Sequence, residues 1–178
     1  ADESTVLLKN ENQLLPLDTK SLKSIAIIGP NADQVQFGDY TWSRNNKDGV
    51  TPLQGIKNRV NKNTAIHYAK GCSLTSLDTS GIAEAVEAAK NSEVAVIFGG
   101  SASAALARDY KSSTCGEGFD LNDLNLTGAQ SQLIREVYRT GTPVILVLVT
   151  GKPFVIEWEK NNLPAILVQW YAGEQAGN

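Results

Sequence analysis

A chain of 178 residues, 42% hydrophobic and 20% charged, is long enough to bury one sizeable core and too apolar to be disordered or fibrous. Its 16 Lys and Arg against 19 Asp and Glu leave a net charge of −3 with no basic face, which argues against a nucleic-acid partner. The longest apolar run, Pro143 to Val149, is far too short to cross a bilayer, so no membrane partner is expected.

The opening ADESTVLLKNENQLLPL is acidic and apolar-periodic, without the basic-then-apolar order of a signal peptide. The first strand-like run is Ser24 to Gly29, followed by a loop, PNADQVQFGDYTWSRNNKDGV, and then a helix with Thr51 as N-cap and Pro52 at its first position. A second strand spans Thr64 to Ala69, a helix follows over GIAEAVEAAKNS, and a third strand covers Glu93 to Gly100. After the long loop SASAALARDYKSSTCGEGFDLNDLNL comes a helix for which Thr127 is the expected cap and Gly141 the stop. A fourth strand, Pro143 to Gly151, a short helix over KPFVIEWEKNN and a fifth strand, Ala165 to Gly173, complete the chain. Several strands are nearly continuous apolar runs, as buried strands are, and strand alternates with helix. The expected fold is therefore α/β: an open, mostly parallel sheet with helices on both faces, a three-layer sandwich formed by one domain, residues 1–178. WYAGEQAGN stops where a helix is expected to begin, so both ends read as cut from a larger protein.

In such sheets ligands bind beyond the carboxyl ends of the strands. Strand-to-helix loops usually hold about two to six residues, so two loops are oversized, and both are expected on one edge. In the second, Glu117 sits between Gly116 and Gly118, which leave the backbone free to present a carboxyl for proton transfer; the alternative is a solvated turn with an incidental acid. Asp123 reads as a helix cap, and Asp120 as a cap or a ligand for hydroxyls. FGDYTW, Phe37 to Trp42, combines three aromatics with an acid, a pattern that suits a sugar platform or packing onto the sheet; one ring is expected out and the others in. His67 reads as structural, and Asn125-Leu126-Thr127 matches a glycosylation acceptor. GPNAD holds one glycine and the chain has neither GxGxxG nor GxxxxGK[ST], so nucleotide binding is disfavoured. Two cysteines and one histidine argue against a zinc site, and no cofactor is expected. Cys72 and Cys115 fall near the ends of two predicted strands, as free thiols or as a bridge that would restrain the long loop.

The segments ESTVLLKNENQLLPL, SIAIIGPNAD, GDYTW, TPLQGIK, YAKGC, GEGFDLNDLNLTGAQSQLI, GTPVILVLVTGKP and WYAGEQAGN, in this order, resemble the second, α/β sandwich domain of glycoside hydrolase family 3. The resemblance implies a retaining, exo-acting β-glucosidase or β-xylosidase whose substrates are β-linked oligosaccharides and aryl glycosides. It implies an N-terminal barrel domain as partner, supplying an aspartate nucleophile. In the GEG[FY]D loop it assigns the acid/base to Glu117, and on the GDYT match it puts Tyr40 beside the sugar, with Trp42 as the substitute. Arg108 and Asp120 are the further candidates for sugar hydroxyls, while Leu121 replaces an Arg common in relatives. Ala172 and Ala176 depart from the more usual Pro and Gly. The competing reading is a carbohydrate-binding or interaction module with no chemistry of its own, because no SDW-type nucleophile motif occurs in the chain.

Overall fold

The computed structural model describes residues 1–41, 48–103, 114–119 and 121–178; Trp42, Arg108 and Asp120 lie outside the described residues. In chain order the strands and α-helices are β1 (Thr5–Asn10), β2 (Ser24–Ile28), α1 (Pro52–Arg59), β3 (Ala65–Ala69), α2 (Ile82–Lys90), β4 (Val94–Gly100), α3 (Gln130–Tyr138), β5 (Val144–Thr150), α4 (Glu157–Asn162) and β6 (Ala165–Trp170). Among the described residues the strands make one sheet in the order β1-β6-β5-β4-β2-β3. All neighbours are parallel except β1, which runs antiparallel to β6. All seven residues of β4 and of β5 are buried, which accounts for their unbroken apolar sequences.

Alternate side chains of these strands feed two cores. Ile28, Ala95, Ile97, Leu146 and Leu148 pack with Ala85 and Ala89 of α2 and with Leu133, Ile134 and Val137 of α3. Ile25, Ile27, Val96, Phe98, Ile145 and Val147 pack on the other face with Leu53 and Ile56 of α1 and with Leu14, Leu15, Leu17 and Leu22. The expected three-layer arrangement is present, its second outer layer made partly of non-helical chain. Burying such a core removes apolar surface at about 25 cal/mol per Å², the main force that holds the layers together.

Several local expectations differ from the structure. β1 was not expected as a strand, because its residues run from exposed to half-buried without alternation and its register with β6 shifts between Leu7 and Lys9. The fifth predicted strand ends at Trp170; Gly173 takes φ 57 and opens a 3-10 turn, Gly173–Gln175, which folds back on the loop after β2 through the hydrogen bond from Val50 N–H to the Glu174 carbonyl at 3.1 Å. Thr51 caps α1 as expected, accepting from the Gln54 N–H at 3.2 Å. Thr127 does not cap α3, which starts after Ala129; its hydroxyl donates instead to the Leu74 carbonyl at 2.7 Å. Asp123 caps no helix either, accepting from the Asn125 N–H at 2.7 Å in a local turn.

Cys72 and Cys115 are unbridged. Cys72 follows β3 and lies in the core beneath α2 and α3, whereas Cys115 sits beyond β4 with its sulfur over Gly151 and Tyr171. Because β2 separates β3 from β4, the two thiols belong to different parts of the sheet edge.

Candidate active site

The two long loops leave adjacent strands, since β2 pairs with β4. Gly29 makes this close approach possible: at φ 113, a Cβ there would lie 2.3 Å from the Phe98 carbonyl oxygen. Just beyond it, the fully buried Asn31 donates its side-chain amide to the carbonyls of Gly99 at 3.2 Å and Ser101 at 3.3 Å. Gln36 in turn donates to the Asn31 side-chain oxygen at 2.9 Å, so the loop after β2 is anchored on the end of β4.

The loop after β4 is closed at its base. Thr114 N–H donates to the Ala102 carbonyl at 3.1 Å, Ala102 N–H donates to the Thr114 hydroxyl at 3.0 Å, and Ser103 bridges to Cys115. The chain therefore returns to the sheet edge immediately before Glu117. Gly116 and Gly118 adopt φ values of 139 and 70, a region that side chains disfavour, and the turn closes with Phe119 N–H donating to the Gly116 carbonyl at 3.1 Å. This turn leaves Glu117 exposed.

Across from it, the Tyr40 hydroxyl donates to Oε2 of Glu117. That hydrogen bond to a carboxylate is the main reason the Tyr40 phenol is held above its ordinary pKa. Tyr40 is 84% exposed while Phe37 is 4% exposed and packs with Val35 and Ala176, so of the two described rings one faces outward and one inward. The residue before Tyr40, Asp39, accepts from the Ser103 hydroxyl and from the Glu117 N–H. Of the candidate residues, Glu117 and Tyr40 are thus brought together from positions 77 apart in sequence. An exposed carboxyl beside an outward-facing phenol can exchange a proton with a bound molecule while the ring stacks on its apolar face.

Residues with no motif of their own support the site. Gln130, 1% exposed, accepts from the Gly100 N–H at 2.8 Å and donates to the carbonyls of Gly100 at 3.0 Å and Leu74 at 3.2 Å, tying α3 to the end of β4. The available signal was a polar residue in register with Leu133, Ile134 and Val137 on the apolar face of the helix. The Tyr171 hydroxyl shares a hydrogen bond of 2.7 Å with the Ser101 hydroxyl, which also donates to Thr150 at 3.1 Å. Burial is the main cause of Tyr171's strongly raised pKa, so its phenol stays neutral beneath the loop. Among the described residues no three His, Cys, Asp or Glu side chains converge as metal ligands.

A sequence profile of the glycosyl hydrolase family 3 C-terminal domain matches residues 5–178. The chain is 41% identical over 184 residues to a β-xylosidase of Formosa agariphila, covering all of this chain and 24% of that protein. It is 36% identical over 202 residues to a periplasmic β-glucosidase of Salmonella typhimurium, covering all of this chain and 25% of the relative. Among solved structures, a β-glucosidase of Erythrobacter marinus superposes with a TM-score of 0.82 at 31% identity, over 99% of this chain and 26% of that one. The chain thus spans about a quarter of the length of these relatives. On a profile match over nearly its whole length, the chain belongs to the glycosyl hydrolase family 3 C-terminal domain family.

Proposed function

We propose that this domain supplies the acid/base glutamate, Glu117, and an aromatic sugar-binding residue, Tyr40, to a retaining, exo-acting β-glycosidase that removes terminal β-D-glucosyl or β-D-xylosyl residues. The observation that carries this reading is the meeting of Glu117 and Tyr40 at the edge where two long loops leave adjacent strands. In this scheme Glu117 protonates the leaving glycosidic oxygen, a carboxylate from an N-terminal barrel domain of the same protein attacks the sugar, and Glu117 then takes a proton from the hydrolytic water. The two carboxyls must lie about 5–5.5 Å apart for this division of labour. Asp39 is a poor candidate for the second, because its two oxygens already accept from Ser103 and from the Glu117 backbone. Trp42, Arg108 and Asp120 are proposed as further sugar contacts on the same two loops.

The test is Glu117→Ala in the whole protein. Turnover of cellobiose or xylobiose is expected to fall by about 10²–10⁴-fold, the usual contribution of general acid–base catalysis, while the protein stays folded. A dinitrophenyl glycoside, whose leaving group needs little protonation, is expected to glycosylate the enzyme far less impaired. Unchanged disaccharide turnover would remove Glu117 from the role. The isolated 178-residue chain is expected to show no turnover of nitrophenyl glycosides, and activity near that of the whole enzyme would mean that it holds both carboxylates.

A further inference from the structure

Flanking glycines expose Glu117 but also leave its peptide unit free to rotate, and a proton-transfer group has to be held in one place. A displacement of about 1 Å can cost on the order of 10²-fold in rate. The turn's own backbone bond, Phe119 N–H to the Gly116 carbonyl, spans Glu117 without engaging its N–H. That N–H donates instead to Oδ2 of Asp39 at 2.5 Å, across 78 residues of sequence. The other carboxylate oxygen, Oδ1, accepts from the hydroxyl of Ser103, a buried residue bridged to Cys115 at the base of the same loop. Hydrogen bonds to an ionised carboxylate are among the strong ones in proteins, and two of them from one group fix an orientation as well as a distance.

We infer that Asp39 is a positioning residue for the catalytic glutamate: its carboxylate clamps the Glu117 peptide to the Ser103 end of the loop. Consecutive residues of the loop after β2 then grip Glu117 twice, Asp39 by the backbone and Tyr40 by the carboxyl. The aromatic residue and the acid/base are thereby held as one unit, although they come from different loops. This inference rests on the proposed role of Glu117.

The test uses the whole enzyme with Asp39→Ala, Asp39→Asn and, in parallel, Glu117→Ala, each assayed on a disaccharide and on a dinitrophenyl glycoside. Asp39→Ala is expected to lower kcat for the disaccharide by about 10²-fold. On the dinitrophenyl substrate its glycosylation step is expected to change little. Asp39→Asn is expected to recover most of the loss, because the amide oxygen can still accept from Glu117 while Ser103 turns from donor to acceptor. An equal loss on both substrates, an effect on KM alone, or no loss would each overturn the clamp. If Asp39→Ala does not fold, Ser103→Ala replaces it: a smaller loss confined to the disaccharide supports the clamp, and an equal loss on both substrates overturns it. If Glu117→Ala itself shows no leaving-group dependence, the proposed function fails; if it does and Asp39→Ala does not, only the clamp fails.

Discussion

At the residue scale, glycines that share a positive φ do different work. Gly118 takes φ 70 with nothing among the described residues within 4 Å of an added Cβ, so against them its replacement meets only the intrinsic cost of left-handed backbone. Gly118→Ala is therefore expected to fold, with stability reduced by about 1–2 kcal/mol. For a chain of this size that corresponds to a Tm lower by several degrees, each kcal/mol being worth roughly 2–4 °C. At Gly29 the same change drives a Cβ to 2.3 Å from the Phe98 carbonyl oxygen of β4, where the three nearest atoms are all backbone and cannot yield. Gly29→Ala is expected to abolish cooperative folding, and thermal melts of the two variants side by side check both outcomes. The bare sequence exposes the pair around Glu117 as suspicious, but which glycines are open and which are wedged depends on neighbours far along the chain.

At the element scale, a buried amide adds a polar tie to the apolar packing of α3 on β4. Gln130 satisfies both the N–H and the carbonyl of Gly100 at the point where β4 ends and the long loop starts. Gln130→Leu keeps the volume and helix propensity but strands the N–H and carbonyl of Gly100, while the Leu74 carbonyl keeps its bond from the Thr127 hydroxyl. Each buried polar group left unpaired costs about 1–3 kcal/mol. The expected outcome is a lower urea midpoint with an unchanged m-value, read by tryptophan fluorescence or circular dichroism. The same variant is expected to raise protection loss at Gly100 and Ser101 in hydrogen exchange before the rest of the sheet opens. An unaltered midpoint would show that these groups find other partners.

At the scale of the whole molecule, the layer formed by α2 and α3 encloses Cys72, and burial pushes its thiol up to about 11 from an ordinary 9.0. The sign follows from the neutral form being favoured in the fold. The corresponding stability is complete below pH 9 and is lost as pH rises from about 9 to about 11. Cys72→Ala is expected to flatten the pH dependence of the denaturation midpoint in that window. Alkylation of the wild type near neutral pH is expected to reach Cys115, which is partly exposed, well before Cys72. Equal labelling rates for the two thiols would contradict the burial argument.

Much of this arrangement was written locally. The unbroken Val and Ile runs of β4 and β5 mark strands covered on both faces, Thr51-Pro52 marks the start of α1, and the glycines around Glu117 mark a presented side chain. Each of these signals depends on the residues' own volume, dihedral preference or hydrogen-bonding reach, so it survives without knowledge of the fold. β1 had no such signal, because its pairing partner β6 lies more than a hundred residues away and its apolar side chains stay largely exposed. Thr127 and Asp123 looked like caps because a cap motif is a local pattern, yet the Leu74 carbonyl and the Asn125 N–H competed successfully for them. The sequence by itself determined the α/β class, the two long loops and the candidacy of Glu117 and Tyr40. Only the tertiary structure decided that β2 lies beside β4, and with it that Asp39 and Tyr40 meet Glu117 while Ser103 bonds Asp39, since strand order is settled by the packing of both cores at once.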